Sequence, residues 1–440
     1  MSENRGICLV NALTGLLTAA MACLWISTAS LAQAAPRPAA VDEFAQLQLA
    51  LRTSRAGGDT AAYLKGSESL YAFLNGSPRA TLQMMSAEIL SGNSQEALRY
   101  FSQYVDMGQA GEETLQAKSF DPLRALPMYQ GIHARMAANR TVISAAAELF
   151  ELQPTARIPE DIDYDSAQKL FYVTTVLGQQ ILRVDMTGNS KVFANSPDHW
   201  PMMALKIDGR RRILWATEVA VDGFASAAKA AWGRSAVLLY DLRSGKLLQR
   251  IEGPPKASLG DMTLDADGNA IVSDGELGGI YRISRITHKL ERIDAGDFIS
   301  PQTPAVLSDG RHVIVPDYVR GIGVLDLQSK SVVWLSTEGK RALSGIDGLY
   351  AVGNTWIATQ NGASPERVIR FVVDDSNTAI VSESIIERST PALGDPTHGV
   401  IIGDYFYYIA NSGWDALDDH GNLLAGKSLP RSSLRRARIS

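Results

Sequence analysis

Residues 260–284 read GDMTLDADGNAIVSDGELGGIYRIS, which is a turn, an apolar strand, a short polar hairpin and a second apolar strand. Two other stretches follow the same order: residues 160–185 (EDIDYDSAQKLFYVTTVLGQQILRVD) and residues 347–371 (DGLYAVGNTWIATQNGASPERVIRF). The pairs Asp267-Gly268 and Asp309-Gly310 are typical of hairpin turns. The pattern therefore indicates antiparallel β-structure built from one repeated unit.

This unit occurs six times after residue 155. When the copies are aligned on their first strand, their starts lie 42 to 57 residues apart, at Glu160, Met203, Gly260, Gln302, Asp347 and His398. That spacing is typical of a radial β-propeller with four strands per blade, so we predict a six-bladed β-propeller over residues 155–420. In such a fold the innermost strand of each blade begins beside the central axis. The polar starts are therefore expected to converge in one small space; they are Glu160, Gln302, Asp347 and His398.

A helical domain is predicted before the propeller, over residues 43–152. Ala, Leu, Met and Gln dominate there, and apolar residues recur at three- and four-residue steps. Ser77-Pro78 predicts a helix start, and Gly92-Asn93 predicts its end before Ser94 opens the next helix. The series Ala87, Gly92, Ala97 and Phe101 resembles a tetratricopeptide unit, although a generic helical hairpin explains it equally well. The fold class expected is thus α + β, with a boundary at Gln153-Pro154.

The two ends of the chain are predicted to lie outside the folded domains. Arg5, an apolar run over residues 7–31 and Ala32-Gln33-Ala34 are typical of a cleaved secretory signal peptide over residues 1–34. An uncleaved membrane anchor is the alternative, because the run is long enough to span a bilayer. We expect a flexible leader over residues 35–42 and a basic, disordered tail over residues 421–440. The predicted location is the periplasm or the cell exterior, with no membrane association after cleavage.

Composition limits the kinds of chemistry open to this chain. Both cysteines, Cys8 and Cys23, lie within the predicted signal, so the mature chain would have no thiol nucleophile and no disulfide. The net charge of −5 and the 20% of charged residues do not indicate nucleic-acid binding or a disordered chain. The sequence contains no nucleophile elbow, zinc helix motif or phosphate-binding loop.

The converging axial residues suggest a cation site. The carboxylates of Glu160 and Asp347 cannot both stay charged and unpaired in a narrow channel, because like charges and loss of water raise the pKa of a carboxyl group. A hard cation such as Ca²⁺ relieves this repulsion with carboxylate and amide oxygens, so Gln302 is predicted to complete the ligand set. His398 titrates near neutral pH and is suited to proton transfer. The plainer alternatives are that Asp347-Gly348 is only a turn and that Glu160 is a solvated strand start.

The propeller sequence also resembles a known family. The residues that carry the likeness are Asp347-Gly348, residues 354–358 (NTWIA), Asn361-Gly362 and residues 368–370 (VIR), together with Glu160 ahead of Asp165. They resemble the senescence-marker-protein/gluconolactonase-like family, which includes the luciferin-regenerating enzymes. The likeness covers roughly residues 155–420 and implies the same six-bladed fold.

The resemblance implies a function that two departures put in question. Family members bind a divalent cation, often calcium, at the axial mouth, and many hydrolyse lactones or esters there. It implies Glu160, Asp347 and residue 302 as ligands, but this chain has Gln302 in place of the family's asparagine, and Gly260, beside Asp261, in place of another. We therefore predict an exported, cation-dependent hydrolase of a sugar lactone or related ester, with Asp347 and His398 as catalytic residues.

The sequence leaves open whether the protein is an enzyme. The alternative is a non-catalytic propeller that binds a protein, a glycan or a small ligand, with the helical domain adding a second binding surface.

Overall fold

The structure is a computed structural model of the 440-residue chain. It describes residues 39–111, 116–224, 227–337 and 339–439. The predicted signal peptide and its cleavage site lie outside the described residues. Within the described part of the chain, no helix is both long and apolar enough to cross a membrane.

The described residues of the larger domain form six antiparallel sheets arranged as blades, which confirms the predicted six-bladed β-propeller. Blade 1 consists of β3 (Pro159–Asp165), β4 (Leu170–Thr175), β5 (Gln180–Val184) and β6 (Ser190–Asn195). Blade 2 consists of β7 (Met202–Asp208), β8 (Ile213–Ala220), β9 (Arg234–Asp241) and β10 (Leu247–Glu252). Blade 3 consists of β11 (Leu259–Leu264), β12 (Ala270–Asp274), β13 (Ile280–Ile283) and β14 (Leu290–Arg292).

Blades 4 and 5 contain β15 (Ala305–Val306), β16 (His312–Asp317), β17 (Gly321–Asp326) and β18 (Val332–Trp334), and then β19 (Gly348–Val352), β20 (Thr355–Gln360), β21 (Arg367–Val373) and β22 (Ile380–Arg388). A short strand, β1 (Ile143–Ser144), pairs with the outer edge of blade 5. Blade 6 contains β23 (Gly399–Ile402), β24 (Tyr405–Ala410), β25 (Ser433–Arg438) and β2 (Ala146–Glu151).

Blade 6 joins the two ends of the propeller sequence and corrects the predicted disordered tail. The predicted tail over residues 421–440 contains β25, which pairs with β24 on one side and with β2 on the other. Leu434 and Ala437 are buried, and Arg435 reaches the buried Glu387 of blade 5 through its Nε and Nη2, at 2.9 and 2.7 Å. The prediction was wrong because it counted the arginines as solvated, whereas a distant carboxylate neutralises one of them.

The predicted boundary at Gln153-Pro154 is also wrong. The helices end at Ala138, and β1 and β2 belong to the propeller although they precede residue 153. Helical spacing of the apolar residues between 139 and 152 misled the prediction, since the outermost strand of a blade is only half-buried and lacks a strong alternating pattern. A fragment restricted to residues 155–420 would lack two of the four strands of blade 6.

Each pair of adjacent blades shares its own apolar core. Trp215 of blade 2 packs with blade 3 residues such as Val272, and Trp356 of blade 5 packs with blade 4 residues such as Ile314. Further clusters join the remaining neighbours around the ring. The chain therefore stabilises the ring by burying large side chains between sheets, as expected for strands that are apolar on both faces.

The helical domain contains α1 (Ala39–Ala56), α2 (Thr60–Phe73), α3 (Pro78–Leu90), α4 (Ser94–Asp106), α5 (Asp121–Arg124) and α6 (Tyr129–Ala138). Helix α3 begins at Pro78, and α4 begins at Ser94, as the capping signals predicted. The buried Ala87, Ala97 and Phe101 belong to α3 and α4, which pack as a hairpin. Helix α1 already starts at Ala39, so residues 39–42 of the predicted flexible leader are helical instead, and residues 35–38 lie outside the described residues.

The helical domain packs on one face of the ring, which we call the top face because the innermost strands of the blades begin there. Ala40 donates its backbone N–H to Gly296 O, which lies between blades 3 and 4, at 3.0 Å. Ile299 and Val319 of the same region join an apolar cluster with Phe44 and neighbouring helical residues. Over blade 5, Ser364 N–H donates to Gln109 Oε1 at 3.0 Å. The helices therefore cover the blade 3–5 side of the face that contains the predicted site.

Candidate metal centre

Bulges near the start of the innermost strands set the direction of the predicted site residues. The register of β3, β7 and β11 against their neighbours shifts within residues 159–162, 202–205 and 259–262. A threonine of the second strand holds the bulge in blades 1 and 2: Thr174 Oγ1 accepts Asp161 N–H, and Thr217 Oγ1 accepts Ala204 N–H, each at 2.9 Å. Such a bulge places two consecutive residues opposite one and redirects a side chain.

Three of the four predicted axial residues meet in one cluster. Glu160, Asp347 and His398 each offer a ligand atom, and these atoms lie within 4.8 Å of one another. All three residues are buried. They come from blades 1, 5 and 6, so only closure of the ring brings them together.

His398 is held between a carbonyl and two carboxylates. Its Nδ1 lies 2.9 Å from the backbone oxygen of Glu160. Its Nε2 lies 3.0 Å from Asp261 Oδ1 and 3.9 Å from Asp347 Oδ1. Burial lowers the pKa of His398, but the negative charges of Asp261 and Asp347 outweigh that effect and hold the pKa well above its usual value. The two carboxylates therefore favour the protonated form of the ring.

Asp347 is oriented by Asn361, a residue to which the sequence analysis gave no role. Asn361 Nδ2 donates to Asp347 Oδ2 at 2.7 Å and to Pro396 O at 3.0 Å. Its Oδ1 accepts the hydroxyl of Tyr318 at 3.0 Å. The next residue must be a glycine, Gly362, because its backbone touches that of Gly345: a Cβ at residue 362 would lie 2.6 Å from Gly345 Cα. The pair Asn361-Gly362 in the sequence was the available signal for this contact.

Glu160 is held by a residue far away in the sequence. Trp414, in the long loop between β24 and β25, donates its Nε1–H to Glu160 Oε2 at 2.6 Å. Burial, and then the negative charge of Asp347, raise the pKa of Glu160 to about 8. No local pattern marks Trp414, so sequence reasoning could not have found it.

Gln302 stands near the cluster, and its amide makes contacts of its own. Its Nε2 donates to Ser300 O at 3.2 Å and to Ser300 Oγ at 3.3 Å. Among the described residues, none of the hydrogen bonds of Gln302 reaches Glu160, Asp347 or His398. The next residue does, since Thr303 N–H donates to Asp347 O at 3.3 Å. The role of Gln302 as a metal ligand remains a prediction.

Asp261 completes the cluster in blade 3. Gly260 holds the predicted axial position there and has no side chain, but the bulge between Leu259 and Met262 includes the next residue as well. The carboxylate of Asp261 therefore reaches the axis and pairs with His398. Strand alternation would have turned it away, and a bulge is not readable from one sequence. The site thus contains three carboxylates and one imidazole.

Further charged groups lie close to this cluster. Lys206 Nζ donates to Asp161 Oδ2 at 2.6 Å and to Leu205 O at 2.8 Å. The hydroxyl of Tyr350 accepts Gly399 N–H at 2.7 Å, and burial and then Asp161 hold its pKa well above the usual value. Burial also raises the pKa of Asp163 to about 6, although Lys206 opposes this. Because acidic groups outnumber basic ones around the axis, the site has excess negative charge.

No protein-family model and no curated protein matches this sequence. Solved structures similar to the chain include a gluconolactonase from Xanthomonas campestris (13% identity, TM-score 0.45, covering 66% of this chain and 88% of that chain). They also include a luciferin-regenerating enzyme (12% identity, TM-score 0.45, covering 67% of this chain and 95% of that chain). A third is the PQQ-bound aldose sugar dehydrogenase from Streptomyces coelicolor (14% identity, TM-score 0.46, covering 68% of this chain and 98% of that chain).

The gluconolactonase and the luciferin-regenerating enzyme carry the names of the family that the sequence resembles. At these identities and TM-scores the likeness does not argue for a shared activity. What the site can do follows from its own residues: it brings together carboxylates that could hold a cation and places an imidazole beside them.

Proposed function

We propose that this protein is a divalent-cation-dependent hydrolase of a lactone or related ester, acting at the axial cluster on the top face. The observation that carries the proposal is the burial of Glu160, Asp261 and Asp347 around His398. Three buried carboxylates in one place are costly without a compensating positive charge. A folded protein retains such a set when the charge is part of its function.

The residues fit a divalent cation. Burial, and then the negative charge of Asp347, raise the pKa of Glu160 to about 8 although Trp414 donates to it, and a cation beside this carboxylate would oppose both effects. Glu160, Asp261 and Asp347 would hold the ion, and Gln302 would complete the set if its amide oxygen turns inward. An all-oxygen set of this kind suits Ca²⁺, whereas a set including His398 would suit a transition metal. We favour Ca²⁺ because both ring nitrogens of His398 already face other groups.

A cation held there supplies Lewis acidity, which polarises a carbonyl group and acidifies a water molecule. The residues of the chain divide the proton transfers. Asp347, held by Asn361, accepts a proton from the attacking water, whose oxygen bonds to the carbonyl carbon. His398, protonated between Asp261 and Asp347, gives a proton to the leaving oxygen as the carbon–oxygen bond breaks. The backbone oxygen of Glu160 and the carboxylate of Asp261 hold the ring of His398 in place.

Metal content and thermal stability test the proposal. The purified protein is expected to contain a stoichiometric cation, and Ca²⁺ added after chelation should raise the melting temperature, because a ligand bound only by the folded state stabilises it. Asp347→Asn should reduce that effect while nearly preserving the shape. Asp309→Asn is the matched control and should behave like the wild type, because Asp309 is an exposed carboxylate in the turn between β15 and β16.

Activity separates the hydrolase from the second candidate, a non-catalytic binding propeller. His398→Ala should leave cation binding in place and lower lactone turnover. Stabilisation by a cation with no turnover of any lactone or ester would favour the binding protein. The observation that favours this candidate is the helical domain, which packs on the top face beside the cluster and adds a second surface there.

We also propose that the mature protein is exported. The order of Arg5, the apolar run and Ala32-Gln33-Ala34 supports this location. A cation taken up from outside the cytoplasm is consistent with a calcium site, since free Ca²⁺ is scarce inside cells.

A further inference from the structure

One side of the axial mouth is apolar. We call it the apolar wall: Ile158, Val176 and Phe224 are buried at its centre, and Leu177, Met203, Val221, Trp414, Leu417 and Leu429 pack against them while staying partly exposed. These residues come from blades 1, 2 and 6, whereas the helical domain covers blades 3 to 5.

The wall is continuous with the metal centre. Trp414 belongs to both, since its indole N–H donates to Glu160 Oε2 at 2.6 Å while its ring packs near Phe224, with 6.3 Å between centroids. Met203 occupies the blade 2 bulge that corresponds to the blade 1 bulge of Glu160. An apolar side chain thus stands at the axial position beside a carboxylate.

The backbone is shaped to present this wall. Ile158 has a positive φ of 53°, a conformation that is strained for a β-branched residue, and it lies two residues before Glu160. Two long loops carry the aromatic members of the wall: one follows β8 and contains Phe224, and the other follows β24 and contains Trp414. The loops meet where a Cβ at Gly421 would lie 2.7 Å from the ring of Phe224. Their packing keeps Trp414 against Glu160.

This division of the mouth indicates what it binds. A polyhydroxylated ring needs a hydrogen-bonding partner for each hydroxyl group that it buries, and the wall offers apolar side chains instead. Gly260 adds no side chain at the blade 3 axial position. The cluster of Glu160, Asp261, Asp347 and His398 lies beside the wall and supplies polar groups at the axis.

We infer that the site takes a lactone or ester with an alkyl or aryl substituent: the carbonyl meets the carboxylate cluster and the substituent lies on the apolar wall. The inference rests on the proposed hydrolase function and replaces the sugar ring with an apolar group. The reaction is an ordinary hydrolysis, in which one water adds across the carbon–oxygen bond to give a carboxylate, an alcohol and a proton. Met203 and Trp414 are specificity-determining residues in this scheme.

Two matched pairs of probes test the inference in the presence of Ca²⁺. The substrates are a δ-lactone with a pentyl substituent and glucono-δ-lactone; their open products, 5-hydroxydecanoate and gluconate, serve as binding probes in calorimetry. We expect 5-hydroxydecanoate to bind at least about tenfold more tightly than gluconate, because apolar pockets discriminate by about this factor or more. We expect the alkyl lactone to have the larger kcat/KM by a similar factor.

The variant Met203→Gln keeps the length of the side chain and makes the wall polar, so it should remove most of the preference. Met128→Gln, at a methionine that is 63% exposed on the helical domain, is the matched control and should keep it. Leu417→Gln gives a second, independent change in the wall should Met203→Gln fail to fold.

The outcomes distinguish this inference from the proposed function. Preferential binding of 5-hydroxydecanoate that Met203→Gln abolishes supports the wall, even if neither lactone is hydrolysed; in that case the hydrolase proposal fails alone. Gluconate binding as tightly as 5-hydroxydecanoate, or neither product binding, overturns the inference. An unchanged preference in both Met203→Gln and Leu417→Gln overturns it as well.

Discussion

Replacing Arg435 with methionine tests whether the C-terminal strand closes the propeller. In the wild type, Arg435 Nε and Nη2 donate to Glu387 at 2.9 and 2.7 Å, and the Glu387 side chain is fully buried. Within the described residues, Arg435→Met leaves that carboxylate with only hydroxyl donors, Thr390 at 2.6 Å and Tyr408. Removing one partner of a buried ion pair costs about 3–5 kcal/mol, and the two hydroxyls place the expected loss of unfolding free energy at the lower end, about 3 kcal/mol.

The assay is thermal or urea unfolding of the full chain. A loss of about 3 kcal/mol corresponds to a fall in melting temperature of roughly 5–10 °C. Arg436→Met is the matched control: Arg436 is exposed and lies over the Tyr405 ring at 5.3 Å, a contact worth about 0.5–1 kcal/mol. Adding Glu387→Gln to Arg435→Met should recover part of the loss, because it removes the orphaned charge. If Arg435→Met has the same melting temperature as Arg436→Met, β25 does not close the ring and the reasoning fails.

Three other results are expected. Trp414→Phe should weaken Ca²⁺ binding about tenfold or more, measured by calorimetry, because a hydrogen bond to a charged group contributes about 1.5–3 kcal/mol; Trp232→Phe, whose indole donates to the neutral Ala227 O at 3.1 Å, should not. Burial, then Asp274 and Asp222, raise the pKa of Glu276 from 4.5 to about 7 in the folded state, so this group costs stability as the pH rises from 4.5 through 7. Glu276→Gln should therefore be more stable than the wild type at pH 8, by about 1–3 kcal/mol in urea titrations, and equal to it at pH 4.5; a constant difference across pH would contradict this assignment. Finally, the intact mass of the exported protein should lack residues 1–34, and a mass that includes them would support a membrane anchor instead.

The sequence allowed the propeller and most of its site to be predicted because these depend on a local pattern that repeats. Strand alternation, Asp-Gly turns and blade-sized spacing recur in each unit, and together they located Glu160, Asp347 and His398 at the axis. The errors arose where structure depends on distant residues. Arg435 looks solvated until its carboxylate in another blade is known, and Asp261 looks turned away until the bulge in β11 is known.

The same limit explains Trp414. It contacts Glu160 from a loop of another blade, and no spacing in one sequence records which loops meet above the axis. The helical capping signals at Ser77-Pro78 succeeded for the opposite reason, since a cap is decided by residues within one turn.

The pairing of β2 with β25 has a consequence for how the chain is made. Strand β2 leaves the ribosome before any complete blade, whereas β25 is made only after the other five blades. The helices can fold early on local contacts, but blade 6 lacks one of its two inner-paired strands, β25, until residues 433–438 have been synthesised. The contacts of Glu160 also depend on blade 6, because His398 and Trp414 lie on either side of β24 in that blade. The cluster of Glu160, Asp347 and His398 therefore assembles late, after blade 6 has been synthesised.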